Sequence, residues 1–308
     1  MIAILMATFN GEKYIRQQLD SLFDQTMTDF IIHIQDDAST DNTWEILLEY
    51  KQKHPEKIRL NRRLINTGSA KYNFLGLMSA IQDKYVMLCD QDDVWFPTKI
   101  EKTLAKMNDL ERLWGKDSPL LVFTDLQVVD ETLTVINKSF REAMDSDFTR
   151  TDFAQVLIQN LITGCTVMYN RSLACLLDIS PKYCVMHDWW LMLVASAFGK
   201  IGHIDEQTIS YRQHGKNEIG AKDVRKLSYK FNRLLKGGSI REAIRLTYPQ
   251  AKCFLSLYDN KLTDSQKDIL LKYCSIPDLG KMKRWITIYE LKALKSGLFR
   301  NIAYFIFV

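Results

Sequence analysis

Short apolar runs alternate with stretches of helical periodicity over the first 130 residues. Ile2–Thr8, Phe30–Asp36, Ile58–Arg62 and Tyr85–Cys89, together with residues 120–124, are rich in Ile, Val, Leu and Phe and read as buried strands. Between them, residues 11–24, 41–53, 69–82 and 97–113 carry apolar side chains at helical spacing, with Thr40–Asp41 and Pro97 as start signals. This alternation predicts an α/β fold with a mostly parallel sheet covered by helices on both faces. From Thr151 to His214 the pattern is mixed: residues 164–170 and 200–211 are strand-like and residues 188–198 helical. From Ala221 onward the chain reads as helical, broken at Gly237-Gly238 and across residues 277–280. The expected division is residues 1–221 (1–130 and 131–221 as two halves) and residues 222–308.

Composition narrows the class. A hydrophobic content of 46% with 25% charged residues is that of a folded globular chain, which excludes a disordered or collagenous one. The six cysteines are scattered without a CxxC pair, which argues against a zinc site and a disulfide framework. The N-terminus lacks a basic leader, and no run approaches the roughly 20 apolar residues that span a bilayer, so a cytoplasmic location is expected. The net charge of +4 is unevenly spread. Residues 1–221 hold 23 Lys+Arg against 30 Asp+Glu, and residues 222–308 hold 18 against 7, a balance of −7 followed by one of +11. An acidic body with a basic tail suggests chemistry in the first part and docking to something anionic in the second.

In open parallel sheets the ligand sits outside the carboxyl ends of the strands. Thr8-Phe9-Asn10, Asp36-Asp37 and Asp90-Gln91-Asp92-Asp93 each follow a predicted strand, so three polar clusters should converge on one crevice. Three carboxylates within four residues repel one another unless a cation or hydrogen-bond donors compensate. Mg²⁺ or Mn²⁺, which prefer oxygen ligands, are natural partners. An acidic turn capping the helix after Pro97 explains the same residues structurally. No GxGxxG or Walker loop is present.

Taken together, Ala7-Thr8-Phe9-Asn10, Asp36-Asp37-Ala38-Ser39-Thr40-Asp41 and Cys89-Asp90-Gln91-Asp92-Asp93-Val94-Trp95 resemble the motifs of the family 2 glycosyltransferases. The resemblance covers residues 1 to about 220. Within that family the Asp-Gln-Asp-Asp-Val-Trp form and the run from Tyr211 to Asn217 look most like rhamnosyltransferases of bacterial cell-wall or surface polysaccharides. The resemblance implies a GT-A fold: a Rossmann-like nucleotide-binding sheet (residues 1–130), a mixed acceptor half (131–221) and a C-terminal helical region. It implies that Thr8 and Asp37 line the nucleoside pocket, with Asn10 beside them, and that Asp37 accepts the base imide N–H. Asp36 supports the turn or contacts the ribose. Asn66 and Gly68 belong to a loop closing over the nucleotide, with Gln91 also on the donor side. Asp90 faces the ribose or the metal, and Asp92 coordinates a Mn²⁺ or Mg²⁺ that bridges the diphosphate.

Glycosyl transfer also needs a base for the acceptor hydroxyl, set apart from the metal carboxylates. Asp188 stands where the family carries its catalytic Asp, with His187 in place of the usual first acid. An N-cap role is the structural alternative for Asp188. Trp189 and Trp190 suit a sugar-facing acceptor site, or pack in the core. His214 is either a further metal ligand or a structural histidine, and Arg212 and Lys216 are placed to meet the diphosphate.

The expected reaction is inverting transfer of L-rhamnose from dTDP-β-L-rhamnose to a lipid-linked saccharide. A UDP-hexose or UDP-N-acetylhexosamine donor is the rival within enzymes, and a non-catalytic membrane scaffold the rival outside them. In the tail, Trp285, Ile288, Tyr289, Leu298, Ile302 and Phe305 recur at helical spacing among basic residues. Such helices dock on an anionic membrane surface, here the inner face of the cell membrane, or pack as a homodimer interface. Nucleic acid is not expected, since no recognised binding motif accompanies the charge.

Overall fold

The computed structural model describes residues 1–81, 83–177, 181–214 and 237–308. Lys216 and the basic stretch 222–236 lie outside the described residues. The chain forms two compact units, one of Met1–Phe140, Ile162–Ile179 and Gly199–Ala221, the other of Arg141–Leu161, Ser180–Phe198 and Lys222–Val308.

The first unit is built on a nine-stranded sheet. Strands β1 (Ile2–Thr8), β2 (Phe30–Asp36), β3 (Ile58–Arg62) and β4 (Tyr85–Cys89) have the predicted bounds and lie parallel in the order β3-β2-β1-β4. Every side chain of β1 and β4 is buried, as expected of strands covered on both faces. Helices Ile15–Phe23, Thr43–Lys53, Ala70–Ala80 and Lys99–Trp114 follow the predicted alternation. Ile15, Leu19, Leu22 and Leu47 from the first two join Ile4, Met6, Ile32 and Ile34 in one core.

Beyond β4 the sheet becomes mixed. The remaining strands are β5 (Val94–Trp95), β6 (Leu120–Val129), β7 (Val135–Asn137), β8 (Val167–Asn170) and β9 (Lys200–Arg212). β8 runs antiparallel to both β4 and β6, while β9 runs parallel to β6 and antiparallel to β5. The strand expected at residues 120–124 continues to Val129. Its register against β9 shifts around Asp125, whose carboxylate accepts from Ser139 Oγ at 2.6 Å and Gln207 Nε2 at 2.9 Å. Of the strand expected at 164–170, Gly164–Thr166 form a 3₁₀ turn instead, closed by Thr166 Oγ1 donating to the Thr163 carbonyl.

The second unit is helical. The helix His187–Phe198 buries Trp190 against Phe254 and Tyr258, with ring centroids 5.5 and 6.2 Å apart. Helices Gly237–Arg245, Thr247–Tyr258, Asp264–Ser275, Lys281–Glu290 and Leu298–Phe307 complete the described part, with a capping box at Thr263 and Gln266. The linear division at residue 221 is therefore crossed by packing. Trp190 needs the aromatic rings of the tail, the Arg150 guanidinium donates to the Leu294 carbonyl, and Gln159 Oε1 accepts from Ser296 N at 2.7 Å. No helix among the described residues is long and apolar enough to cross a membrane.

One buried cation in the first unit gives a test of the packing. Lys99 opens its helix fully buried, 4.7 Å from the Trp95 ring centroid and 3.4 Å from Thr208 Oγ1. Burial pulls its pKa from 10.5 down to about 8, against the opposing pull of Cys165, Cys89 and Asp93. A depressed folded pKa means that the unfolded chain binds more protons between pH 8 and 10.5, so the Lys99 contribution to stability rises across that window. Urea denaturation of wild type and Lys99→Met should show the wild type gaining up to about 3 kcal/mol on the variant as the pH rises through it. Parallel pH profiles would contradict the buried ammonium.

Candidate active site

The carboxyl ends of β1 and β2 meet in a hydrogen-bonded turn. Asp36 is fully buried, and its carboxylate accepts from Thr8 Oγ1 at 3.0 Å, from Ser39 N at 3.0 Å and from Ser39 Oγ, with Arg62 Nε at 3.3 Å. It is thus a turn residue saturated by the protein. Asn10, in the left-handed region at φ 47°, receives the Thr40 amide on its Oδ1 at 2.8 Å and ties the end of β1 to the same turn. The Asp37 carboxylate accepts from the Thr67 amide at 3.0 Å and from Thr67 Oγ1 at 2.6 Å, while Asn66 Nδ2 donates to the Asp37 carbonyl at 2.8 Å. Gly68 allows this fold-back with φ 76°. The loop 66–68 is therefore held directly on Asp37.

The second cluster lies after β4. Gln91 clamps the backbone of Phe9 in both directions, accepting from its N–H at 2.9 Å and donating to its carbonyl at 3.0 Å. Its amide thereby ties the end of β1 to the acidic loop. The clamp explains Gly11, where a Cβ would come within 2.3 Å of Gln91 Oε1. Asp92 Oδ2 lies 2.7 Å from His214 Nε2, and the imidazole stacks on Tyr14 with centroids 4.9 Å apart. Asp93 is fully buried; Oδ1 accepts the Arg212 amide at 3.0 Å, and Oδ2 makes no hydrogen bond among the described residues. Burial, then the charges of Asp92 and Asp90, push its carboxyl far above the usual carboxylate range. Ligand atoms of Asp90, Asp93 and Cys165 all lie within 4.8 Å of one another.

These donors fit a hard divalent cation. Asp90 and Asp93 offer carboxylate oxygens beside the Cys165 thiol, and Asp92 with His214 offers a carboxylate and an imidazole. The oxygens and the imidazole suit such an ion, the thiol does not add to that fit, and the acidic cluster carries mutual repulsion that a cation would relieve.

Two expectations change. Arg212 does not reach toward a diphosphate: it is buried, and its guanidinium donates to the Asp92 carbonyl at 2.7 Å, the Glu131 carbonyl at 2.6 Å and Gln17 Oε1 at 2.6 Å, stacked 4.6 Å from the Tyr14 ring. It braces the acidic loop. Trp190 is a core residue of the second unit rather than an acceptor-side one, because its indole is wholly enclosed by aromatic neighbours. Trp189 is half-buried, its Nε1 donating to the Val156 carbonyl at 2.7 Å.

Asp188 belongs to the second unit. It sits in the first turn of its helix, 8% exposed, with Oδ2 accepting from Asn160 Nδ2 at 3.2 Å and Oδ1 from the Trp189 amide at 2.7 Å. Residues that pattern reading missed include Arg62, Arg63 and Asn160. Arg62 ends β3 and Arg63 follows it, so the rule that nominated Asp36 and Asp90 reaches them as well.

Among solved structures, the chain superposes on *S. aureus* TarS 1-349 in complex with UDP-GlcNAc (TM-score 0.53, 15% identity, covering 99% of this chain and 90% of that one). It also superposes on the mannosyltransferase PcManGT from *Pyrobaculum calidifontis* in complex with GDP-Man and Mn²⁺ (TM-score 0.52, 16% identity, 98% and 77%). It spans 43% of a longer TarS chain. The mixed sheet and its neighbours are those of a GT-A glycosyltransferase. Residues 3–176, more than half the chain, match glycosyl transferase family 2, and the chain belongs to that family. Two curated relatives are a dTDP-rhamnosyl transferase, RfbG, of *Shigella flexneri* (29% identity, 73% of this chain and 77% of that protein) and a putative teichuronic acid biosynthesis glycosyltransferase, TuaG, of *Bacillus subtilis* (31%, 69% and 79%).

If Arg212 is a brace, Arg212→Lys should lose two charge-assisted hydrogen bonds and destabilise the protein by about 3 kcal/mol in urea denaturation. Unchanged stability with selectively weakened nucleotide binding would return it to the donor site.

Proposed function

We propose that this glycosyltransferase is metal-dependent and inverting, and transfers L-rhamnose from dTDP-β-L-rhamnose to a lipid-linked saccharide acceptor in surface polysaccharide assembly. The observation that carries the reading is the meeting of the Asp36–Asp37 turn with loop 66–68, and of Asp92 with His214, at the ends of neighbouring strands. Its likeness to a dTDP-rhamnosyl transferase supports the choice of donor. So does the loop before Asn66: Leu64 is 99% exposed and Ile65 81%, an aliphatic pair two or three residues from the Thr67 contact to Asp37. A thymine whose imide N–H binds Asp37 in place of Thr67 carries its 5-methyl group roughly 4 Å from that nitrogen, within reach of such a pair.

Asp90, Asp92 and His214 would hold Mn²⁺ or Mg²⁺, which supplies Lewis-acid neutralisation of the diphosphate. Lys216 is proposed to contact the diphosphate as well. Asp188 takes the proton of the acceptor hydroxyl as its oxygen bonds to the anomeric carbon from the face opposite the diphosphate. The bond to the diphosphate breaks, and dTDP leaves with the electron pair. Trp189 borders the acceptor. Asn160 orients the Asp188 carboxylate for that transfer.

A turnover screen with Mn²⁺, offering dTDP-rhamnose beside UDP-sugars, should release dTDP in preference to UDP. Asp188→Asn should lower kcat by roughly 10²–10⁴ while the Kd for dTDP stays within about twofold. Preference for a UDP-sugar would discard the rhamnose donor, and near wild-type kcat would remove Asp188 as the base.

A further inference from the structure

We propose that the helices Lys281–Glu290 and Leu298–Phe307 form one docking surface for an anionic lipid bilayer. The inference goes beyond the transfer reaction and rests on the second unit alone.

Each helix turns one side inward and leaves an apolar stripe outside. On the first, Ile288 is buried, and Met282, Trp285, Ile286 and Tyr289 are exposed at i, i+3, i+4 and i+7. The stripe expected from sequence, which included Ile288, is therefore rotated. On the second, Tyr304 is buried, and Leu298, Ile302 and Ile306 are exposed at i, i+4 and i+8. Met282, Tyr289 and Leu298 are 75%, 74% and 76% exposed. The stripes are joined: Trp285 Nε1 donates to the Phe305 carbonyl at 2.7 Å, and the two rings meet edge to face with centroids 6.3 Å apart. Contiguous exposed apolar surface of this kind marks an interaction site.

Charge selects the occupant. Residues 281–308 carry six Lys+Arg and one acid, Glu290. Arg284 and Arg300 donate to backbone carbonyls of Leu279 and Asp145, whereas Lys281, Lys283 and Lys292 are exposed around the stripe. A second copy docking face to face would bring these lysines against their own counterparts, a like-charge contact that opposes association. An anionic headgroup layer meets the lysines with opposite charge and accepts the aromatic and aliphatic tips below it. Ten-residue helices are about 15 Å long, half the hydrocarbon thickness, so they lie in the interface and do not span it.

The test is flotation of the full chain with vesicles of phosphatidylcholine alone or with about a third phosphatidylglycerol, without donor or acceptor. Binding should require phosphatidylglycerol and weaken steeply at high salt. Each lysine near the surface is worth roughly a factor of five, so the triple variant Lys281→Gln/Lys283→Gln/Lys292→Gln should bind about a hundredfold more weakly. Met282→Ser/Tyr289→Ser/Leu298→Ser should also lose binding, with an unchanged thermal midpoint. Equal binding to both vesicle types, no binding to either, or a wild-type dimer dispersed by the serine variant would overturn the proposal. Donor choice does not enter this assay, so a failed rhamnose reading leaves its result intact.

Discussion

Three carboxylates stand within four residues at the end of a buried strand, and the surrounding structure is organised by the need to keep them there. Asp90, Asp92 and Asp93 repel one another, and burial makes the repulsion stronger. Burial and the charges of Asp92 and Asp90 push the Asp93 carboxyl well above the usual carboxylate range, and one of its oxygens accepts the Arg212 amide. Asp92 faces an imidazole, and its own carbonyl is held by the Arg212 guanidinium. Arg212 is in turn fixed by Gln17, the Glu131 carbonyl and the Tyr14 face. A cluster secured by such outer partners keeps its geometry before any ion arrives, which lowers the ordering cost of binding one.

The neighbouring turn uses the same logic with the opposite result. Asp36 is satisfied by Thr8, Ser39 and Arg62, so its charge is spent on architecture. Asp37 next to it, also buried, holds loop 66–68 through Thr67. One carboxylate fixes the turn and the other ties loop 66–68 to it. Gln91 couples the two clusters by clamping Phe9, so the ends of β1 and β4 keep a common geometry.

The parallel half of the sheet was legible because strands buried on both faces appear as unbroken apolar runs, and β1 to β4 kept their predicted bounds. The acidic clusters were legible because they sit where such strands end. β5 and β7 were not, being two and three residues long with no periodicity to display. β6 was cut short in the reading because Asp125 and Gln127 interrupt its apolar run, though both are tied to partners in β9. Arg212 was misplaced because sequence shows a charge but not the carbonyls that absorb it. Of the two settings left open for Trp190, the structure shows core packing, which depends on Phe254 and Tyr258, more than sixty residues away.

The central claim is that the Asp90–Asp93 loop with His214 is built to receive a divalent cation beside a nucleoside diphosphate. Electron paramagnetic resonance of Mn²⁺ titrated into the protein with dTDP tests it directly. The account predicts that the free-ion signal is suppressed up to about one equivalent per chain by the wild type, and that Asp92→Ala leaves the signal free. A wild-type titration indistinguishable from buffer containing dTDP, or equal suppression by Asp92→Ala, would contradict it.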